Sequence, residues 1–516
     1  TRRRGERAPP TGGWSHTATV RDSNGLVRQA RWRRLLAGRN CACATPRVST
    51  MGDVDADARY QQLVERLKQQ YAAIPTGSPV RLAKKTSNLF RTRTAIDTPG
   101  LDVAAFDGVL HVDPAARTAD VLGMTTYEHL VDATLPYGLM PLVVPQLKTI
   151  TLGGAVTGLG IESSSFREGL PHESVIEMDV LTGSGEIVTA SGAVDDPNRD
   201  LYLSFPNSYG SLGYALRLKI ELAPIQAYVV LEHLRYPSAS AMADAIAEFT
   251  VSRTHHGNQI DFLDGTVFSP EEQYLTIGRW SNTLPVGYTK PSDYTGMNIY
   301  YRSIQQRSFD VLTARDYIWR WDTDWFWCSR AFGAQKPAIR RLWPKDKLRS
   351  DVYWKIIAAD RKYRFSDRQF KLFGKPPKEE VIQDIEIPVD RLPEFLDFFH
   401  KEIGIEPVWV CPLRSRDGVT KWPLYEMDTS ATYVNVGFWS TVAREPGSNP
   451  ADGALNRLIE AEVTRLDGHK SLYSSAYYSK DEFDRLYGGE HYEQVKSRYD
   501  PQNRLTDLFA KVVQRR

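Results

Sequence analysis

Apolar positions recur at helical spacing early in the chain, at Tyr60, Leu63, Leu67 and Tyr71, and Pro75, Gly77 and Pro79 end that helix. The period then shortens. Short strands are expected over 108–113 and 118–122, a helix over 127–135, and an extended run over 140–144 that Pro145 closes. Further strands are expected over 175–181 and 186–189, joined by the tight turn Gly183-Ser184-Gly185. Residues 215–222 alternate apolar and polar, as a half-buried strand does. Past Pro224 the texture changes: a helix over 239–249, Trp- and Tyr-dense stretches to about 380, then strands over 381–388 and 407–413. Helices over 480–486 and 492–499 close the chain. Short strands alternating with helices predict an α+β fold. The expected division is an extension over 1–50, a first domain over 51–224, a second over 225–465, and a segment over 466–516 that packs back on the first.

The whole chain has 516 residues and a net charge of +2. Residues 1–50 hold eleven Arg, no Lys and two acids, a local +9, so the remainder carries −7. A basic tail on a mildly acidic body is not a nucleic-acid-binding domain. The tail has no apolar segment of secretory length; it resembles a transit peptide in composition, and the reading preferred here starts the protein at Met51. Cys41 and Cys43 lack companion ligands for zinc, and Cys328 and Cys411 read as buried thiols of a reducing compartment. No apolar run is long enough to span a bilayer. A cytoplasmic protein is expected.

The richest chemistry lies in Thr149 to Ser165, TITLGGAVTGLGIESSS. Glycine permits close backbone approach, and Ser163 to Ser165 add donors, which suits a diphosphate. The spacing departs from the dinucleotide fingerprint, because Ser163 stands where a third glycine belongs, so a Rossmann site is not supported. Alone, this Gly/Ser segment reads equally well as a turn-rich loop.

The order of pieces decides more. Pro141-Leu142-Val143-Val144-Pro145, Thr151-Leu152-Gly153-Gly154, Gly158 to Ser165, Gly169, Val180 to Gly185 and Gly210-Ser211-Leu212-Gly213 resemble the FAD-binding domain of vanillyl-alcohol-oxidase (PCMH-type) flavoproteins. The Δ24-sterol reductase (Diminuto-like) branch is the most similar, and the likeness continues through Gln383 to Pro388, Pro407 to Pro412 and the 477–483 region. It implies a two-subdomain FAD-binding domain under an α+β substrate (cap) domain. It implies that Gly153, Gly154, Gly158, Gly160, Ser163, Ser164, Gly169, Gly210 and Gly213 surround the cofactor. Where sterol reductases of this branch have His after the serine run, this chain has Phe166, so FAD is expected to bind without a covalent link; His172 is the lesser substitute.

The resemblance implies reduction of a branched, unactivated C=C bond in a lipid, with NADPH as donor by analogy. Protonation to a tertiary cation followed by hydride transfer needs a buried acid in a dry pocket; Asp384, Glu386, Glu162 and Tyr477 are the candidates. Actinobacterial flavin reductases of this family act on methylene-branched fatty acyl chains, and the tail has the composition of high-GC coding. A 10-methylene acyl chain reduced to 10-methyl is therefore the expected reaction, beside a lipid methyltransferase as pathway partner and with peripheral membrane contact; a Δ24 sterol is the alternative. The four Trp of Tyr317 to Trp327 suit either a lipid–water interface or the core of the second domain. His255, His256 and His469 read as solvated loop residues. An oxidase of the same fold, or a lipid-binding protein without activity, are the competing readings.

Overall fold

The computed structural model describes residues 53–84, 90, 91, 99–363, 376–445 and 447–516. The tail, its cysteines and Met51 lie outside the described residues. Helix α1 (Asp53–Ala72) turns Tyr60, Leu63, Val64 and Leu67 inward at the spacing its sequence sets.

The first domain is built on a six-stranded sheet of β1 (Val109–Asp113), β2 (Thr118–Leu122), β3 (Leu139–Pro141), β4 (Val175–Leu181), β5 (Ile187–Ser191) and β6 (Tyr214–Pro224). Its order is β1-β2-β6-β4-β5, with β3 added to the end of β6, and every pair is antiparallel. Of the extended run expected over 140–144, only the stretch to Pro141 enters the sheet. The Gly-rich segment is not a plain loop. Leu152–Thr157 is a short helix, started by the Thr151 hydroxyl accepting the Gly154 N–H at 3.2 Å.

The second domain holds an eight-stranded sheet ordered β12-β7-β11-β10-β14-β15-β13-β16. Its strands are β7 (Tyr228–Tyr236), β10 (Phe262–Ser269), β11 (Glu272–Ser281), β12 (Phe309–Thr313), β13 (Lys378–Pro388), β14 (Val408–Leu413), β15 (Tyr433–Ala443) and β16 (His469–Lys470). A two-strand ribbon, β8 (Thr254–His255) with β9 (Asn258–Gln259), stands apart. The period of two sorts the faces. Ile385 and Ile387 of β13, Val408 and Val410 of β14, and Val434, Val436 and Phe438 of β15 face helices Ala239–Ser252, Leu392–Glu402 and Ala454–Arg465. The intervening positions put Asp384, Glu386, Trp409, Cys411, Asn435, Gly437 and Trp439 on the opposite face. Residues 472–512 contribute Leu472, Phe483, Tyr487, Val495 and Leu508 to the same apolar core as Val121, Leu130, Leu218 and Ile220 of the first domain.

Candidate active site

A cavity of about 700 Å³ is walled by both domains. On the first-domain side run Gly123, Thr151, Gly153, Gly154, Gly158 to Ile161, Tyr209, Gly210 and Tyr214. The glycines are demanded by neighbours. A Cβ on Gly153 would lie 2.6 Å from the Gly123 carbonyl oxygen, and one on Gly160 would lie 2.8 Å from the Pro145 ring. The N–H groups of Leu159, Gly160 and Ile161 donate to no other backbone group among the described residues, and Arg81, Lys84, Arg91, Lys511 and Arg516 line the same cavity. A thin glycine wall, available N–H donors and clustered cations fit a cofactor bearing a diphosphate, and so fit FAD.

The opposite wall is aromatic and acidic: Trp325, Phe326, Trp409, Trp439, Tyr473, Ser471 and Asp384. Asp384 projects over Gly437, its cross-strand partner, where a Cβ would come within 2.4 Å of the carboxylate Oδ1. Burial pushes the Asp384 carboxyl up to about 7, while the Asn435 amide and the Tyr473 phenol pull it partly back. Tyr473 in turn accepts the Trp439 indole N–H at 3.0 Å. Two residues along the same face, Glu386 is fully buried, neither carboxylate oxygen has a hydrogen-bond partner, and burial with the Asp384 charge drives it well above the usual range. Glu386 does not line the cavity; it sits behind Asp384, opposite Asn435.

The other two candidate acids lie elsewhere. Glu162 accepts from Ser163 at 2.5 Å and from the Arg320 guanidinium at 2.9 Å; Arg320 also reaches Asp264 at 2.9 Å. That buried trio braces the start of the serine run against the second domain and stays outside the cavity wall. Tyr477 packs its ring on Gly453 and beneath Arg457, and does not line the cavity. Of the nine residues assigned to the cofactor by resemblance, Gly153, Gly154, Gly158, Gly160 and Gly210 form its wall. Ser163 bonds Glu162 and Tyr317, and Ser164 donates to the Leu142 carbonyl at 2.8 Å. Gly169, at φ +70°, makes room for Glu173, and Gly213, at φ +156°, lies against Val180 and the Leu181 carbonyl. None of these last four reaches the cavity.

Phe166 is fully buried in the apolar core of the second domain, and His172 is a neutral core histidine, its ring against Trp422 and its pKa pulled down to about 3 by burial. Neither lines the cavity. His469 is not in a solvated loop. It pairs with Glu386 in the sheet, packs on Tyr425 and Tyr433, and burial lowers it to about 4. His256 is exposed and His255 half-buried beside it. Trp319, Trp321, Trp325 and Trp327 are all buried, so this stretch is core and presents no ring face to a lipid–water interface. Trp325 and Phe326 nevertheless reach the cavity from that core. Cys328 and Cys411 are free thiols, with Cys411 buried. Among the described residues no helix is long and apolar enough to cross a membrane, and no His/Cys/Asp/Glu group could hold a metal.

Tyr473, Tyr209 and Trp439 were not singled out from sequence. Tyr209 lines the cavity at φ 48°, with a buried hydroxyl that has no partner, beside the quoted Gly210-Ser211-Leu212-Gly213 string. Tyr473 follows β16 in a stretch with no pattern of its own; Trp439 is recognisable only once β15 is paired with β13.

The FAD binding domain family matches residues 59–191. The chain is 23% identical over 424 residues to a Δ24-sterol reductase homologue of Caenorhabditis elegans, covering 78% of this chain and 77% of that one. The Δ24-sterol reductase of Homo sapiens is 24% identical over 430 residues, 80% and 75% of the two chains. Cytokinin dehydrogenase 2 of Oryza sativa subsp. japonica is 31% identical over 163 residues, 31% of this chain and 28% of that one. A glycine-walled, cation-lined cavity built largely from the matched segment and its neighbours, in a chain similar over most of its length to Δ24-sterol reductases, makes this protein an FAD-dependent oxidoreductase with a PCMH-type FAD-binding domain.

Proposed function

We propose that the protein reduces a branched, unactivated C=C bond in a lipid, with Asp384 as the acid that protonates the alkene. The observation that carries this reading is a carboxyl held near pKa 7 in the cavity wall among Trp325, Phe326, Trp409 and Trp439. An acid in that range is substantially protonated at neutral pH and so able to donate. Protonation at the less substituted carbon leaves a tertiary cation, and the surrounding ring faces stabilise it while keeping water out. Bound FAD, once reduced, supplies the hydride that completes the reduction. Gly153, Gly154, Gly158, Gly160 and Gly210 would hold the cofactor, and the N–H groups of Leu159 to Ile161 with the cavity cations would supply donors and charge for its diphosphate. NADPH is the proposed donor of electrons.

The relatives above are named for Δ24-sterol reduction, so a sterol side chain is better supported as substrate than the methylene-branched acyl chain expected from composition. A lipid methyltransferase belongs to this protein's pathway only in the acyl case. The test incubates holoprotein and NADPH with a Δ24 sterol or a methylene-branched phospholipid and reads the products by mass. Gain of two hydrogens by the sterol alone supports the reading; gain by the acyl lipid alone restores the acyl substrate, and gain by neither overturns the reductase proposal.

A further inference from the structure

With the tryptophan stretch buried, a different surface has the chemistry of a lipid interface. Residues 336–356 hold seven Lys or Arg against two Asp, on a body whose net charge is negative. Arg340 is buried against Asp324, and Lys347, Arg349 and Lys355 pair with Asp346, Glu128 and Asp351. The surface charge of the segment is therefore carried by the exposed Lys336, Arg341 and Lys345. Its exposed apolar side chains are Ile339, Leu342 and Ile356, and Leu342 is 84% exposed at the end of the short helix Pro337–Leu342. Soluble surfaces scatter single apolar residues; here they alternate with Lys336, Arg341 and Lys345 in one segment.

The segment is rigidly mounted. Buried Arg340 bonds the Gly296 carbonyl at 2.6 Å, the Asn298 carbonyl at 3.1 Å and both oxygens of Asp324, at 2.7 and 3.0 Å. That anchor brings Met297, 48% exposed, to the same place. It also ties the segment, through Asp324, to the buried turn that carries Trp325. The adjoining helix Ser350–Tyr363 bears Trp354, whose ring meets Phe90 at 4.9 Å and Trp325 at 6.1 Å between centroids. Phe90 and Trp325 both line the cavity.

We propose that residues 336–347 and the first turns of helix Ser350–Tyr363 form a docking face for an anionic bilayer surface, setting the side of the cavity lined by Phe90 toward the membrane. The occupant is fixed by charge complementarity together with apolar side chains long enough to enter the headgroup layer. The use of this face, delivering a lipid to the cavity, rests on the reductase reading; its binding to a membrane does not.

The test uses the full chain with FAD bound and vesicles of fully saturated phosphatidylglycerol or phosphatidylcholine, which offer no bond to reduce. Binding is followed by co-sedimentation. The protein is expected to bind phosphatidylglycerol vesicles, to be released by high salt, and to ignore phosphatidylcholine. Leu342→Glu should weaken binding at least about tenfold, and Arg341→Gln and Lys345→Gln about fivefold each, with flavin absorbance per chain unchanged. Val194→Glu, on an exposed loop of the first domain, should leave binding as it was. Failure of the unaltered protein to bind phosphatidylglycerol, or equal loss in Val194→Glu, overturns the proposal. Retention of binding by both Leu342→Glu and the Arg341→Gln/Lys345→Gln variant overturns it as well. Product formation in solution with a dispersed lipid reports separately on the reductase reading.

Discussion

Replacing Asp384 by Asn removes a carboxyl whose ionisation the fold resists. The ordinary value of 3.8 and the folded value of about 7 stand roughly three units apart, and at about 1.36 kcal/mol per unit the folded protein loses about 4 kcal/mol when this group ionises. The unfolded chain releases the proton at 3.8 and the folded chain holds it to about 7. Stability from this group is therefore full below pH 3.8, falls as pH rises through that window, and is flat above it. Asn cannot ionise and lacks the fall. Denaturant unfolding of the two proteins at pH 5 and pH 9 should show the unaltered chain losing about 3 kcal/mol relative to Asp384→Asn between those conditions. The variant should keep its FAD and lose lipid reduction. Parallel behaviour of the two proteins across pH would refute the claim that this carboxyl is buried and held protonated.

Gly153→Ala places a methyl 2.6 Å from the Gly123 carbonyl oxygen; the wall must shift, and the flavin-to-protein absorbance ratio should fall severalfold. Arg320→Met leaves Glu162 and Asp264 buried without their shared cation, a loss of about 3–5 kcal/mol measurable by denaturant unfolding. Because Phe166 and His172 stand away from the cavity, acid precipitation should release all of the flavin to the supernatant; yellow colour retained in the pellet would contradict non-covalent binding.

The first domain was readable because its strands are short, half-buried and separated by turn residues. Ile220 and Leu222 face the core on β6 while Lys219 and Glu221 alternate outward, and the period survives in the sequence. The second sheet was mostly missed. In β10, Phe262 to Val267 are buried on both faces, so no alternation marks them as a strand. The Gly-rich helix was read as a loop because Gly153 and Gly154 are poor helix formers; the Thr151 cap and the Gly123 carbonyl, which accepts the Gly153 N–H at 2.9 Å, override that preference. Asp384 and Glu386 were visible as acids on one strand face, yet which of them meets the cavity depends on the Gly437 opposite and on Tyr473. The tryptophan stretch could have been core or interface by composition alone. Its burial was settled by long-range contacts such as Asp264, which accepts the Trp321 and Trp409 indole N–H groups at 3.1 and 3.2 Å.

The central claim, reduction of a lipid alkene by way of this cavity, is tested most directly by following the flavin itself. Under anaerobic conditions the yellow protein should be bleached by NADPH and recover its colour when a Δ24 sterol is added, in proportion to the sterol reduced. Bleached flavin that neither a Δ24 sterol nor a methylene-branched lipid reoxidises, but that oxygen does, would contradict the account.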